Sequence, residues 1–235
     1  MRLSERLFLA VPNALFRMSS DWDDRPATCD PYAVCPELKL LEDNFAVIQS
    51  EYRAATKNIE TAPRYHEVDP GRSHVSLPDD TRAWRTFFLE AMGRKFAENR
   101  TKLPRTAQLI DRIPEVFQAF VSRLDPHKSI KPHAGPYHGY LRYHLPLEVP
   151  SDGPLYMLVE DSKLVWVEGR GFMFDDTFQH SVVNSSDHPR SVLIVDVCRP
   201  MRVLGRGASR STTFVLRHTY ARWMERRMHE QPWSV

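Results

Sequence analysis

Hydrophobic side chains in the first half of the chain recur mostly at helical spacing. Within residues 37–57 apolar positions follow one another at steps of three and four, which predicts an amphipathic helix. A second helix is expected after Asp80 and Thr81, which are suitable N-cap residues. Its apolar side would consist of Trp84, Phe87, Phe88, Ala91 and Met92. Residues 58–80 are predicted to form a long loop, and residues 104–112 a short helix.

After Pro114 the pattern changes to short apolar segments separated by clusters of Gly, Pro, Asp or Ser. These segments are rich in Val, Leu, Phe, Tyr and Trp, and they cover 115–124, 137–149, 155–160, 163–168, 171–174, 178–183 and 190–198. Strands at such close and even spacing favour a sandwich or jelly roll. We therefore expect a mainly β fold with flanking helices, closed by a C-terminal helix over 209–229.

The N-terminal residues form a separate amphipathic pattern. At helical spacing one face carries the apolar residues Leu3, Leu7, Val11, Leu15 and Met18, whereas Arg2, Arg6, Asn13 and Arg17 lie on another. Residues 1–18 are therefore expected either to contact a membrane or to dock onto the protein's own core. With the turn-rich connector that follows, residues 1–36 form a predicted arm. Residues 37–235 form the predicted domain, with helical support at 37–112 and a β core at 115–200.

The composition adds limits on partners and compartment. The chain has 235 residues, 42% of them hydrophobic, and a net charge of +2, so we expect a globular domain that does not bind nucleic acid. From Arg199 onward there are eight arginines and only two acidic residues, a balance that suits an anionic partner or a solvated helix face. Three cysteines form no disulfide framework, which favours the cytoplasm, with attachment to the inner face of the membrane as a further option.

Polar residues concentrate in the segment KPHAGPYHGYLRYH, residues 131–144. If 137–145 is a strand, His138, Tyr140, Arg142 and His144 point to one side, because alternate side chains share a face. Inside a jelly roll that side would line the cavity. His133 resembles the start of a metal motif, but the position where a carboxylate ligand is usual is Gly135.

A second group of candidates follows at 171–197. His180 lies among apolar residues, and Arg190 leads into the apolar strand SVLIVDV. Taken alone, His180 suits a core histidine, and Arg190 suits an ion pair with Asp176 or Asp196. The order His133, His180, Arg190 is nevertheless typical of Fe(II)/2-oxoglutarate oxygenases, in which imidazoles hold iron and an arginine anchors the cosubstrate's carboxylate.

Longer motifs point to one group of these enzymes. The segments SRLDPHKSIKPHAGPYHGYLRYHL (122–145), WVEGRGFMFDDTFQH (166–180) and PRSVLIVDV (189–197) resemble the aspartyl/asparaginyl β-hydroxylase family. The resemblance covers about residues 84–200. It implies a double-stranded β-helix core and a hydroxylase that uses Fe(II), 2-oxoglutarate and O₂, inserts one oxygen atom into an unactivated C–H bond, and releases succinate and CO₂.

The resemblance also implies roles for individual residues. His133 and His180 would be the iron ligands, and Gly135 is the family's residue where other oxygenases have a carboxylate. Four residues would bind 2-oxoglutarate or lie beside it: Ser122, Arg142, His144 and Arg190. Asp176 would hold a metal-bound water.

The substrate is less defined. Tyr140 stands where family members acting on Asp or Asn have an arginine, so Tyr140 and His138 are the candidate substrate-side residues. The sequence is similar to the bacterial branch that includes lipid A fatty-acyl hydroxylases, which favours an acyl chain of an anionic lipid. An amino acid, a peptidyl or carrier-bound Asp or Asn, and a small metabolite stay open. Alternatives of other classes are a non-catalytic jelly-roll binding protein and a zinc hydrolase using His133, His144 and His180.

Overall fold

The computed structural model describes residues 3–77 and 80–230. Residues 1 and 2 of the predicted arm, 78 and 79 of the predicted loop, and 231–235 of the predicted domain lie outside these residues. The helices are α1 Leu3–Met18, α2 Pro31–Val34, α3 Lys39–Asp43, α4 Phe45–Ala54, α5 Thr56–Glu60, α6 Tyr65–Val68, α7 Ser73–Ser76, α8 Ala97–Lys102, α9 Pro104–Ile110, α10 Val203–His218 and α11 Tyr220–Glu230. The strands are β1 Thr28–Cys29, β2 Trp84–Ala91, β3 Arg94–Lys95, β4 Val116–Leu124, β5 Ile130–His133, β6 Tyr140–Glu148, β7 Leu155–Val159, β8 Ser162–Leu164, β9 Phe172–Phe174, β10 His180–Asn184 and β11 Arg190–Cys198.

Within the described residues the strands form two antiparallel sheets. The larger sheet has the order β1-β9-β6-β11-β4-β2-β3, and the smaller has the order β5-β10-β7-β8. Apart from the consecutive pairs β2–β3 and β7–β8, neighbouring strands in these sheets are far apart in sequence, as when β11 lies between β4 and β6. From β4 to β11 the chain passes repeatedly between the two sheets, and the predicted jelly-roll class with flanking helices is confirmed.

The two faces of the large sheet have different neighbours. Its inner face packs against the smaller sheet, so that Phe120 and Ile194 share one apolar cluster with Met157 and Val182. Its outer face, which includes Val121 and Leu193, packs against the helical layer of α3, α4, α5 and α9. Since cross-strand partners share a face, the pairs Asp196–Arg142, Ile194–His144 and Val192–Ser122 all belong to the inner face.

The segment after Asp80 is a strand, and the prediction of a helix there was wrong. Residues Trp84–Ala91 pair with β4 along the large sheet. Both faces of this strand are buried, the inner one by Phe88 and the outer one by Phe87 and Leu89. A strand covered on both sides loses its alternation of polar and apolar residues, so its sequence is easily taken for a helix.

Other predicted boundaries also change. The loop predicted over 58–80 contains the short helices α6 and α7. The single C-terminal helix predicted over 209–229 is two helices, α10 and α11, and helical structure starts earlier, at Val203. The β structure extends beyond the predicted core, because β1 and β2 belong to the large sheet. No helix among the described residues is both long and apolar enough to cross a membrane.

Candidate active site

His133 and His180 lie opposite each other on the paired strands β5 and β10 of the smaller sheet. Their ring centroids are 4.2 Å apart. The Nδ1 atom of His133 lies 2.9 Å from the carbonyl oxygen of Lys131, and Nδ1 of His180 lies 2.9 Å from that of Phe178. A carbonyl only accepts, so each Nδ1 carries the proton and each Nε2 keeps a free lone pair.

Burial also keeps both imidazoles uncharged. It lowers the pKa of His133 to about 3, with a further contribution from His180 beside it, and it lowers the pKa of His180 to about 4. Neutral imidazoles with a fixed tautomer are the form that binds a divalent metal. The backbone of two neighbouring strands therefore presents a pair of metal-binding nitrogens at neutral pH.

Gly135 is required by the close approach of Asp176. A Cβ atom at position 135 would overlap the Asp176 carboxylate, and the Gly135 amide donates a hydrogen bond of 2.6 Å to the Asp176 carbonyl oxygen. The space where a side-chain ligand would project is thus occupied by another carboxylate. The absence of a carboxylate at 135 is a packing requirement of this chain.

Asp176 is held on one oxygen only. Its Oδ2 accepts a hydrogen bond of 2.7 Å from the Tyr140 hydroxyl and lies 3.3 Å from Nη1 of Arg142. Its Oδ1 is buried and has no hydrogen-bond partner within the described residues. A buried carboxylate oxygen left free costs several kcal/mol unless a donor reaches it. The orphaned Oδ1 fits the predicted role of holding a water molecule.

Arg142 is satisfied by the protein itself. Its Nε and Nη2 atoms each donate to Asp196 at 2.8 Å, which is a bidentate pair between neighbouring strands. Together with the contact to Asp176, this pairing occupies the guanidinium. The ion pair that the sequence suggested for Arg190 with Asp176 or Asp196 is therefore made by Arg142.

Arg190 is buried and forms no ion pair among the residues that the structure describes. It is 1% exposed, and neither its Nε nor its Nη1 has a hydrogen-bond partner within the described residues. Its guanidinium carbon lies 4.4 Å from the centre of the Trp166 ring, on which it stacks. Burial alone lowers the pKa of Arg190 to about 9. A charged group left this way is strongly destabilising unless an anion joins it.

His144 and Ser122 lie on the same inner face. The indole of Trp166 donates to Nδ1 of His144 at 3.4 Å, so Nε2 carries the proton, and this buried donor has no partner within the described part of the chain. Burial and the neighbouring Arg190 hold the pKa of His144 well below its ordinary value. The Ser122 hydroxyl accepts a hydrogen bond of 3.0 Å from the Trp84 indole, which leaves its own proton free to donate.

A cavity of about 780 Å³ extends toward the C-terminal helices, and Ala134 lines it whereas the two paired histidines do not. Tyr140 lines it, whereas His138 does not. His138 precedes β6 and stacks on Trp22 at 4.3 Å, so the prediction that it shares a strand face with Tyr140 was wrong. Burial lowers the pKa of His138 to about 4.

Trp166 and Arg72 were not among the predicted site residues. Trp166 contacts both Arg190 and His144, and its only sequence signal was its place in a family motif. Arg72 lines the cavity, where its Nε lies 3.5 Å from the Asp69 carboxylate. It comes from the segment predicted to be a loop.

The residues do not assemble a zinc site of the predicted alternative kind. Among the described residues, no group of three or more His, Cys, Asp or Glu side chains could hold a metal. His144 therefore does not join His133 and His180 as a third ligand. The arrangement is a pair of imidazoles beside a region rich in unsatisfied buried donors.

Comparison with known proteins places the chain in a family. A family model described as aspartyl/asparaginyl beta-hydroxylase matches residues 42–200. The chain belongs to this family. It is 32% identical over 171 residues to an ornithine lipid ester-linked acyl 2-hydroxylase of Rhizobium tropici, a match covering 72% of this chain and 60% of that protein. It is 34% identical over 174 residues to the human aspartyl/asparaginyl beta-hydroxylase, covering 69% and 21% of the two chains.

The chain is also similar to other proteins. Aspartate beta-hydroxylase domain-containing protein 2 of Xenopus tropicalis is 32% identical over 173 residues, which cover 70% of this chain and 45% of that protein. The chain thus spans 60% or less of the length of these relatives. Among solved structures, a cupin domain of an Enterobacter cloacae transcriptional regulator superposes with a TM-score of 0.29 at 18% identity, over 34% of this chain and 79% of that one. The relatives' names support an enzyme of the hydroxylase class.

Proposed function

We propose that this protein is an Fe(II)- and 2-oxoglutarate-dependent hydroxylase whose substrate is an acyl chain of an anionic lipid. The observation that carries the cosubstrate assignment is Arg190. Its buried guanidinium has no acidic partner among the described residues, and it lies on the same sheet face as Ser122 and His144. Each of these groups offers a hydrogen-bond donor, and a carboxylate is the ligand that such a set of donors recognises. A dicarboxylate would relieve the unpaired charge and the unsatisfied donors together.

The residues present also fit the metal. His133 and His180 would hold Fe(II) through their free Nε2 atoms, since imidazole suits this ion. Fe(II) with 2-oxoglutarate supplies the activation of O₂ that inserts oxygen into a C–H bond, with succinate and CO₂ as coproducts. The protein's part is to fix the two imidazoles, bind the cosubstrate's far carboxylate at Arg190, and hold a water or proton at Oδ1 of Asp176.

The cavity supports an acyl chain as the substrate. Most of the side chains that line it near α1, α10 and α11 are apolar, among them Phe8, Leu9, Phe117, Leu216, Trp223 and Met224. Tyr140 is at the position where a cation would meet a substrate carboxylate, and its hydroxyl is already bonded to Asp176. The Rhizobium relative is named for hydroxylating an acyl chain.

Arg72 gives the cavity one cationic group, and we assign it to the substrate's carbonyl oxygen. Its weak pairing with Asp69 leaves donors free for an oxygen acceptor. An ester or amide carbonyl held there would place the adjacent acyl carbon in the cavity, whose lining includes Ala134, the residue after His133.

The proposal is tested by incubating the protein with Fe(II), 2-oxoglutarate, ascorbate and an acylated anionic lipid in detergent. Succinate and a lipid heavier by one oxygen atom are expected, with the oxygen on the acyl carbon next to the carbonyl. Turnover without lipid hydroxylation, together with hydroxylation of a free or peptidyl Asp, would assign the substrate to the amino-acid class instead. No succinate and no binding of 2-oxoglutarate would refute the enzyme assignment.

A further inference from the structure

The described side chains of helix α1 form two apolar faces, and only one of these faces is buried. Phe16 and Leu9 face inward against Phe117 and Tyr137, and the Asn13 side chain bonds the Pro136 carbonyl at 2.8 Å. The outward face carries Phe8, Val11, Leu15 and Met18, of which Val11 is 68% and Met18 76% exposed. Three of these four are on the apolar face that the sequence pattern singled out. The face with Phe16 and Leu9 packs on the core, so the outward face has no packing partner among the described residues.

Helix α10 extends this exposed apolar surface. It packs closely on the end of α1, because a Cβ atom on Gly205 would overlap the Ser19 side chain. Its outward side exposes four apolar residues, with Leu204 at 77% and Phe214 at 65%: Val203, Leu204, Phe214 and Val215. Phe8 and Leu216 also line the large cavity. We call the outward residues of the two helices the α1–α10 surface, and it adjoins the cavity that Tyr140 lines.

Arginines border the α1–α10 surface. Arg206, Arg210 and Arg217 line a second pocket of about 330 Å³ together with Ser209 and Thr213. The Thr213 hydroxyl is buried without a hydrogen-bond partner in the described part of the chain. Arg210 makes an exposed ion pair with Glu115 at 3.1 Å. Arg206 and Arg217 form no ion pair with any side chain that the structure describes.

We propose that the α1–α10 surface docks onto an anionic lipid bilayer. The exposed apolar side chains would enter the boundary of the acyl chains, and the arginines would contact lipid phosphates, as in other interfacial amphipathic helices. A bilayer suits this surface better than a second copy of this chain does. In a symmetric dimer the arginines bordering the surface of one copy would lie against the same arginines of the other, and they would repel each other. The docking rests on these two helices alone. Only its use, to deliver an acyl chain into the cavity, rests on the proposed function.

Vesicle flotation of the full chain tests this surface without iron, cosubstrate or turnover. The wild type is expected to float with vesicles that contain an anionic phospholipid, and weakly with purely zwitterionic vesicles. Val11→Ser with Met18→Ser should reduce the bound fraction on the order of tenfold or more, since two apolar side chains leave the lipid boundary. The matched control Val47→Ser with Val165→Ser changes two residues that are exposed elsewhere, on α4 and after β8, and should bind as wild type.

A second pair of variants tests the charge. Arg206→Gln with Arg217→Gln should weaken binding to anionic vesicles and reduce its dependence on salt, whereas Arg53→Gln with Arg112→Gln, at exposed positions elsewhere, should not. Wild type that does not float, or test variants that bind like their controls, would overturn the docking surface. The docking surface would also be overturned if the test variants kept their lipid binding but changed their oligomeric state in sedimentation. If the protein does not float but hydroxylates detergent-dispersed lipid, the docking surface fails and the proposed function stands. If the protein floats but shows no turnover, the docking surface stands and the proposed function fails.

Discussion

Arg142 and Arg190 lie on neighbouring strands of the large sheet, on the same inner face, and both are buried, yet their surroundings are opposite. Arg142 is held by two carboxylates and bonds one of them, Asp196, through two nitrogens. Arg190 stacks on Trp166, and its Nε and Nη1 have no hydrogen-bond partner among the residues that the structure describes. A folded protein tolerates a buried charge when partners satisfy it. The comparison therefore separates an arginine that the protein itself satisfies from one whose donors are available to an anionic ligand.

The largest effect is expected from replacing the paired arginine. Arg142→Met leaves Asp196 and Asp176 buried without their counter-charge, and should lower the free energy of unfolding by about 3–5 kcal/mol. Arg190→Met removes an unpaired cation, so it should leave the stability of the ligand-free protein unchanged or raise it. Urea denaturation of both variants without metal or cosubstrate measures the contrast. Equal losses in the two variants would show that Arg190 has a structural partner after all.

The next effect concerns the ligand. Arg190→Met should weaken 2-oxoglutarate binding by about 2–5 kcal/mol, because the far carboxylate is left buried and unpaired. Titration calorimetry of the metal-loaded protein measures this affinity. The control is Arg123→Met, which removes a buried arginine from the outer face of the same sheet, where it pairs with Glu148 and Glu60. An equal loss in the control would mean that the affinity reports general damage to the sheet.

Gly135 tests how tightly the Asp176 carboxylate, one of the partners of Arg142, is held in place. Gly135→Ala should destabilise the protein by about 1–3 kcal/mol, since the new Cβ displaces the carboxylate that Tyr140 and Arg142 hold. In an Asp176→Ala background the same change should cost much less. Gly207→Ala is the matched control, because nothing lies within 4 Å of the Cβ it adds. Thermal unfolding of these variants would contradict the packing account if Gly135→Ala behaved like the control.

Glu90 is intermediate between Arg142 and Arg190, because it is a buried ionisable group with one ion-pair partner among the described residues. It lies 3.3 Å from Arg100, and burial raises its pKa to about 6. The folded state then binds a proton more tightly than the unfolded state, so stability should fall as pH rises from about 4.5 to 6, by at most about 2 kcal/mol. Glu90→Gln should remove most of this slope in urea denaturation at several pH values. A slope unchanged by the substitution would assign it to other groups.

The sequence predicted the outline of the site because its motifs encode local structure. The strands that carry His180 and Arg190 were recognised from their apolar patterns, and the order of the histidines and arginine implied that they meet. The partners of Arg142 could not be predicted, since they depend on the register between β6 and β11, which sequence spacing does not give. Trp166 lies between strands, where no periodicity marks a residue's direction.

The fold was harder to predict where burial removes the usual pattern. β2 is covered on both faces and was taken for a helix, and the four-residue strand β5, with its exposed Lys131 and Pro132, was not recognised as a strand. The pattern of α1 was read correctly as amphipathic. It could not tell which apolar face meets the core, because both faces carry large side chains and only tertiary packing selects one.

The most direct test of the two-histidine cosubstrate site is an anaerobic titration of the Fe(II)-loaded protein with 2-oxoglutarate, followed by the visible charge-transfer absorption of an iron–oxoacid complex. The account predicts that the wild type develops this absorption at one equivalent of cosubstrate. His133→Ala and His180→Ala should not develop it, and Arg190→Met should need far more 2-oxoglutarate. No absorption in the wild type, or an Arg190→Met titration that coincides with it, would contradict the account.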